Sequence, residues 1–214
     1  MPKISKRGAA LPASPIRKLA PFADQAKKRG MKVYHLNIGQ PDLPTPEKAL
    51  NAVRKIGRKT LEYSPSQGLK SLRDKFAVYY RKFGIDLSPE QIIVTAGGSE
   101  ALLATFLTCF DEGDEVIITE PGYANYLGFA KAAGLTVKAV TSRIEDRFAL
   151  PSAEDFRKAI TPKTKAILIC NPNNPTGYLY SPEELFQLRD LVKEYDLFLI
   201  ADEVYREFVY TDEP

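Results

Sequence analysis

The stretch from Ala166 to Gly177, AILICNPNNPTG, joins a five-residue apolar run to a turn that contains three asparagines and two prolines. The same arrangement recurs at residues 197–205, LFLIADEVY, and at residues 92–101, IIVTAGGSEA. Each short apolar run predicts a buried strand, and polar side chains follow it directly. Because open α/β sheets bind ligands at the carboxyl ends of their strands, we expect the three turns to share one crevice.

Strand-like and helix-like patterns alternate from residue 91 onward. This alternation predicts an α/β fold, a mainly parallel sheet with helices on both faces, and residues 1–45 are predicted to form a separate arm or part of a second lobe. Ser14-Pro15, Ser152 and Ser181 supply helix-start signals, the first for a helix that ends near Arg29. Strands are predicted at about residues 92–95, 115–119, 136–140, 166–170 and 197–201, and helices at about 47–57, 69–83, 99–110, 123–133, 152–160 and 182–195.

Composition limits the classes of function. With 44% hydrophobic and 27% charged residues, the 214-residue chain can bury a core. The net charge of +3 is too small to indicate nucleic-acid binding, although residues 1–32 carry a local +8 that is typical of a solvated basic arm. No apolar run reaches membrane-spanning length. Cys109 and Cys170 lie in apolar segments and are predicted to be reduced core thiols of a cytoplasmic protein, and the single histidine, His35, argues against a histidine triad or a multi-histidine metal site.

The turn at Gly97-Gly98-Ser99 has the features of an anion site. It opens a predicted helix, whose free N–H groups and positive dipole end can hold a phosphate with help from the Ser99 hydroxyl. The alternative is an ordinary glycine turn and helix cap.

Asp202 and the asparagine turn suggest an aromatic cation as ligand. A carboxylate at the end of an apolar strand is costly to desolvate unless a positive group faces it, and a pyridinium nitrogen is such a group. Tyr205, one turn further on, could donate to a ring oxygen, and Pro172 and Pro175 hold the amides between them in one geometry. The alternatives are a capping aspartate, a surface tyrosine and a simple Asx turn.

The motifs NIGQPD, YSPSQG, TAGGSEA, PGYANY, NPNNPTG and DEVY occur in this order, and with them the chain resembles the class I/II aminotransferases of the aspartate aminotransferase fold. The resemblance implies pyridoxal 5'-phosphate as cofactor, amino acid and 2-oxo acid substrates, a homodimer, and a small lobe that includes residues 1–45 beside a large domain from residue 46 to 214. It implies these site residues: Asn174 and Tyr205 on the ring oxygen, Asp202 on the ring nitrogen, Tyr123 stacked on the ring, Gly98, Ser99 and Glu100 at the phosphate, Tyr63 at the phosphate of the partner subunit's cofactor, and Ile38, Gly39 and Asn174 at the substrate.

The chain departs from that family at two positions, neither of which is found in it. The family's Schiff-base lysine follows the Asp-x-x-Tyr motif and a carboxylate-binding arginine lies near the C-terminus, whereas the last lysine here is Lys193. Lys163 and Lys165 precede the strand at 166–170 and so lie at the wrong edge of the sheet. We therefore expect the 214 residues to be the N-terminal part of a longer enzyme and to be inactive alone.

Three other functions fit parts of the pattern. A carbon–sulfur lyase on the same scaffold is one, although some such lyases resemble this pattern with histidine in place of Tyr205. The others are a non-catalytic cofactor-binding regulatory module and a sugar- or nucleotide-phosphate binding domain, in which Asp202 would repel the phosphate.

Overall fold

Four parallel strands form the sheet of the chain. A computed structural model describes residues 2–12 and 17–210, and within them the strand order is β2-β1-β3-β4. Each of the two central strands contains a continuous apolar run, at residues 116–118 and 166–170, as expected for parallel strands that are covered on both faces. The predicted α/β fold is confirmed. The strands are β1 (Glu115–Glu120), β2 (Thr136–Thr141), β3 (Thr164–Cys170) and β4 (Phe198–Asp202).

Two of the helices begin at serine caps that the sequence predicted. The Ser152 hydroxyl accepts from the backbone N–H of Asp155, and Ser181 and Glu184 exchange side chain-to-backbone hydrogen bonds in a capping box, so both predicted helix starts are confirmed. Ser14 and Pro15 lie outside the described residues. The α-helices are α1 (Lys6–Ala9), α2 (Ala20–Lys28), α3 (Glu47–Arg54), α4 (Lys70–Arg81), α5 (Gly98–Cys109), α6 (Asn125–Ala132), α7 (Ala153–Ala159) and α8 (Pro182–Glu194), with 3₁₀ turns at Arg17–Leu19, Pro89–Gln91 and Ile144–Asp146.

The two faces of the sheet carry two hydrophobic clusters. Side chains alternate across a strand, so Leu168 in β3 packs with residues of α5 and α6 on one face. Ile167 and Ile169 face the other way and pack with Phe156 of α7 and Leu188 of α8. The helices on each face therefore hold the strand ends in fixed positions.

Residues 2–12 and 96–210 form one compact unit, and residues 17–95 form a second. The second unit is held around Arg73 of α4, which is buried and whose guanidinium donates to the carbonyls of Gly68 and Pro89. Gly68 has φ +92°, and a Cβ there would lie 2.6 Å from the Cβ of Val94. This position therefore requires glycine.

Three details differ from the sequence prediction. Residues 92–95 form no strand; the Val94 N–H instead donates to the Gln67 carbonyl at 3.0 Å, and without a neighbouring strand no ladder can form. Phe198, at the start of β4, is 54% exposed because β4 is an edge strand of the described sheet. Cys109, at the end of α5, is also exposed and is not a core thiol, whereas Cys170 is buried. Among the described residues, none of the helices has both the length and the apolar character needed to span a bilayer.

Replacing Leu188 by alanine should lower the free energy of unfolding by about 2–5 kcal/mol, because its side chain is 0% exposed between α8 and the sheet. The matched variant Leu107→Ala removes the same atoms from a side chain that is 61% exposed in α5, and we expect a change within about 0.5 kcal/mol. Urea unfolding measures both. If both variants lost the same free energy of unfolding, Leu188 would not be tightly packed against the sheet.

Candidate functional site

A cleft opens at the carboxyl ends of the strands, where β3 and β4 lie side by side. Cys170 and Asp202 are paired in register, and the Asn171 N–H donates to the Asp202 carbonyl at 3.0 Å. The cleft has a volume of about 180 Å³ and is lined by Gly98, Ser99, Leu102, Tyr123, Tyr126, Phe129, Cys170, Asn174, Asp202, Val204 and Tyr205. The three polar turns therefore meet, as the sequence predicted.

Asp202 is the acidic group of the cleft. Its Oδ2 accepts a hydrogen bond from the Tyr126 hydroxyl at 2.7 Å, and its Oδ1 accepts one from the Val204 N–H at 3.1 Å. No lysine or arginine of the described residues forms an ion pair with it. A carboxylate can accept about four hydrogen bonds, so this half-buried one keeps capacity for a cationic partner.

The three asparagines of the turn have two different roles, since two hold the turn in place and one lines the cleft. Asn171 accepts from the Tyr180 N–H, and Asn173 donates to the Pro121 carbonyl at 3.1 Å and to the Thr176 hydroxyl at 2.8 Å. These two side chains fix the turn. Asn174 alone of the three lines the cleft. The sequence pattern did not separate Asn173 from Asn174, because both lie between the prolines.

Polar and aromatic groups stand close together on the walls of the cleft. The Asn174 amide nitrogen lies 3.3 Å from the Tyr205 hydroxyl and donates to it, which leaves the phenol proton able to donate onward. The Tyr123 ring is held by a hydrogen bond from the Asn125 amide to its hydroxyl at 2.7 Å. The predicted ring-oxygen pair and the predicted stacking residue thus share one cavity.

The N-terminus of α5 also borders the cleft. Gly98 and Ser99 line it, and the first N–H groups of a helix have no carbonyl partners within that helix. Gly97 caps the helix with φ +89°, a conformation that favours glycine. The carboxylate of Glu100 folds back to accept from the Ala96 N–H, so its side chain acts as a cap. Only the backbone of Glu100 is then available to an anion.

The remaining predicted site residues belong to the unit of residues 17–95. Tyr63 is fully exposed and Ile38 is 46% exposed, while a Cβ at Gly39 would meet nothing within 4 Å. Their predicted contacts with a ligand or with a partner subunit remain predictions.

Sequence reasoning missed several residues that line the cleft, above all Tyr126 and Cys170. Tyr126 stands in the quoted motif PGYANY, three residues after Tyr123, and it begins an apolar stripe with Phe129 and Ala130 on α6. That spacing indicates burial, but it does not reveal the hydrogen bond to Asp202, which is 76 residues away.

The shape and chemistry of the cleft suit one substituted aromatic ring. A cavity of about 150 Å³ can hold benzene, so a volume of about 180 Å³ accommodates a single ring with small substituents. The cleft offers a carboxylate for a ring cation, an amide and a phenol for a ring oxygen, and a helix N-terminus for an anion.

Comparison with known proteins gives consistent matches. The sequence profile of the family described as "Aminotransferase class I and II" matches residues 31–214. The chain is 36% identical over 212 residues to the aspartate/prephenate aminotransferase of Thermus thermophilus, with 98% of the chain and 55% of the relative covered. It is 38% identical over 212 residues to the aspartate aminotransferase of Thermotoga maritima, with 98% and 56% covered.

Solved structures agree with the sequence matches. The Thermus thermophilus aspartate aminotransferase with maleate superposes with a TM-score of 0.92 at 36% identity, over 100% of this chain and 56% of that one. An alanine aminotransferase from Pyrococcus furiosus gives a TM-score of 0.89 at 36% identity, over 95% and 52%. The chain thus spans about half the length of these relatives.

Replacing Glu100 by alanine should lower the free energy of unfolding by about 1 kcal/mol, because the Ala96 N–H loses its acceptor. Glu100→Gln keeps an amide oxygen at the same place and should recover most of the loss. Urea unfolding of the two variants measures the difference. If alanine cost nothing, Glu100 would not act as a cap and its carboxylate would need another role.

Proposed function

Since the chain belongs to the class I and II aminotransferase family, we propose that it forms the cofactor-binding part of a pyridoxal 5'-phosphate-dependent aminotransferase, which passes an amino group between an amino acid and a 2-oxo acid. The observation that carries this proposal is Asp202, a half-buried carboxylate held by two neutral donors, Tyr126 and the Val204 N–H. A protonated ring nitrogen is the cation that would complete its contacts.

Each wall of the cleft has a task in this proposal. When bound, pyridoxal 5'-phosphate supplies a ring that accepts electrons from the substrate carbon. Asp202 would keep the ring nitrogen protonated, since an opposite charge nearby favours the charged form. Asn174 and Tyr205 would donate to the ring oxygen, and Tyr123 would lie against the ring face. The N–H groups at the start of α5, with the Ser99 hydroxyl, would hold the phosphate.

We further propose that the 214 residues alone do not transaminate. Their last lysine is Lys193, in α8, while Lys163 and Lys165 lie at the amino end of β3, away from the cleft. A lysine that moves a proton at the substrate must reach the site, and none of these does.

The cellular context is likewise part of the proposal. We place the protein in the cytoplasm as a homodimer, with residues 1–45 in an arm and part of a small lobe and residues 46–214 in the large domain. Unpaired Cys109 and Cys170 suit a reducing compartment. Tyr63, an aromatic side chain with full exposure, suits contact with a partner subunit.

Binding of pyridoxamine 5'-phosphate tests the site, because this form needs no lysine. Asp202→Asn should weaken it about ten- to a hundredfold, since a hydrogen bond to a charged group is worth about 1.5–3 kcal/mol. Asp146→Asn removes the same charge from an exposed 3₁₀ turn and should leave the affinity unchanged. Fluorescence titration measures both variants. Wild-type affinity in Asp202→Asn would contradict the proposed contact.

Product analysis of the whole protein tests the reaction. Incubation with an amino acid and a 2-oxo acid should yield the exchanged pair of amino acid and oxo acid. Release of ammonia with pyruvate would instead identify a carbon–sulfur lyase on the same fold, and binding without turnover would identify a regulatory module.

A further inference from the structure

Tyr126 contacts both the acidic and the aromatic wall of the cleft. It lies in α6, is only 3% exposed, and donates its phenol proton to Asp202 Oδ2 at 2.7 Å. Its ring meets the Tyr123 ring edge to face, with centroids 5.3 Å apart and an angle of 84° between the planes. One buried side chain therefore constrains two groups that are far apart in the sequence, Tyr123 after β1 and Asp202 at the end of β4.

The contact with Asp202 fixes the carboxylate without cancelling its charge. Burial and donation to Asp202, with the Cys170 thiol nearby, raise the pKa of the Tyr126 phenol far above its ordinary value. The phenol consequently stays neutral and remains a donor throughout the range in which proteins are folded. A lysine or arginine in its place would aim the carboxylate equally well but would compete with a cationic ligand.

The contact with Tyr123 acts on the other wall. An edge-to-face pair is an energetically preferred arrangement of aromatic rings. Together with the Asn125 hydrogen bond to the Tyr123 hydroxyl, it holds Tyr123 through both its ring and its hydroxyl. A ligand ring that enters the cleft thus meets surfaces that are already ordered, so less conformational freedom is lost on binding.

We propose that Tyr126 is the positioning residue of this cleft, acting through its hydroxyl on Asp202 and through its ring on Tyr123. The inference rests on the proposed function, because it takes a pyridine ring with a protonated nitrogen as the ligand. It assigns one effect on ligand binding to the hydroxyl of Tyr126 and a different effect to its ring. The hydroxyl governs recognition of the ring nitrogen, and the ring governs binding of any flat aromatic ligand.

Two probes separate these properties in the full chain. The first is pyridoxamine 5'-phosphate, and the second is its 1-deaza analogue, in which C–H replaces the ring nitrogen and leaves Asp202 without a cation to bind. Tyr126→Phe removes only the hydroxyl. It should weaken the first probe about tenfold, because a carboxylate that the hydroxyl no longer holds must be ordered on binding at a cost of up to about 1.5 kcal/mol, and change the second less than about threefold.

Tyr126→Leu removes the ring as well and should weaken both probes. The matched control is Tyr180→Phe, because Tyr180 is a buried tyrosine whose hydroxyl contacts Thr119 Oγ1 at 3.2 Å outside the cleft. It should leave both affinities unchanged. Thermal unfolding followed by circular dichroism checks that each variant is folded before titration.

Two results would overturn the inference. Equal weakening of both probes by Tyr126→Phe would show a merely structural role, and no weakening of the first probe would show that the hydroxyl does not act on the site. If the wild-type chain binds neither probe, the proposed function fails. If the wild-type chain binds and Tyr126→Phe has the same affinities, only the inference about Tyr126 is contradicted.

A measurement on the unmodified protein covers the case in which Tyr126→Phe does not fold. Proton NMR of the buried hydroxyl should show a shift on binding pyridoxamine 5'-phosphate, because the ring cation changes the electron density of the Asp202 carboxylate that accepts the Tyr126 proton. The 1-deaza analogue should cause a much smaller shift. Identical shifts with the two probes would contradict the role assigned to the hydroxyl.

Discussion

The parallel pairing of β3 with both β1 and β4 is the constraint on which the cleft depends. Every residue of β3 except Lys165 is buried, and its apolar side chains contribute to the clusters on both faces of the sheet. Parallel pairing brings the carboxyl ends of the strands to one edge. The turns after β1 and β3 and the end of β4 therefore meet there, although they are separated by tens of residues in sequence.

The same pairing decides which polar groups are structural and which are left for a ligand. The Asn171 N–H bonds to the Asp202 carbonyl, and the Asn173 side chain bonds to the Pro121 carbonyl, so backbone groups that would otherwise be unpaired find partners. Asn174 donates to Tyr205, and the Asp202 carboxylate accepts from Tyr126 and from the Val204 N–H, but both side chains also line the cleft. Each of these two side chains keeps capacity for a further hydrogen bond to a ligand.

The sequence predicted the four strands of the sheet, because short runs rich in apolar residues are each bounded by turn residues. It predicted the cleft, because polar residues follow two of these runs and also the apolar run at residues 92–96. Its failures have physical causes. Residues 92–95 have the composition of a strand, but a ladder also requires a neighbour, which local composition does not encode. Cys109 has an apolar local sequence, yet it falls on the open side of α5. The hydrogen bond between Tyr126 and Asp202 depends on how α6 packs against the sheet, and single-sequence spacing carries no such distance.

The positive and negative groups of the cleft, taken together, restrict the possible ligands more than any single contact does. The first turn of α5 presents the positive end of a helix dipole, and Asp202 presents a negative charge, in the same small cavity. A phosphate alone would be attracted by the helix dipole and repelled by Asp202. A simple cation would be repelled by the helix dipole and attracted by Asp202. A ligand with an anion on one arm and a protonated ring nitrogen gains from both. This complementarity favours a phosphorylated pyridine over a sugar phosphate, because a sugar phosphate would leave the Asp202 carboxylate desolvated without a cation.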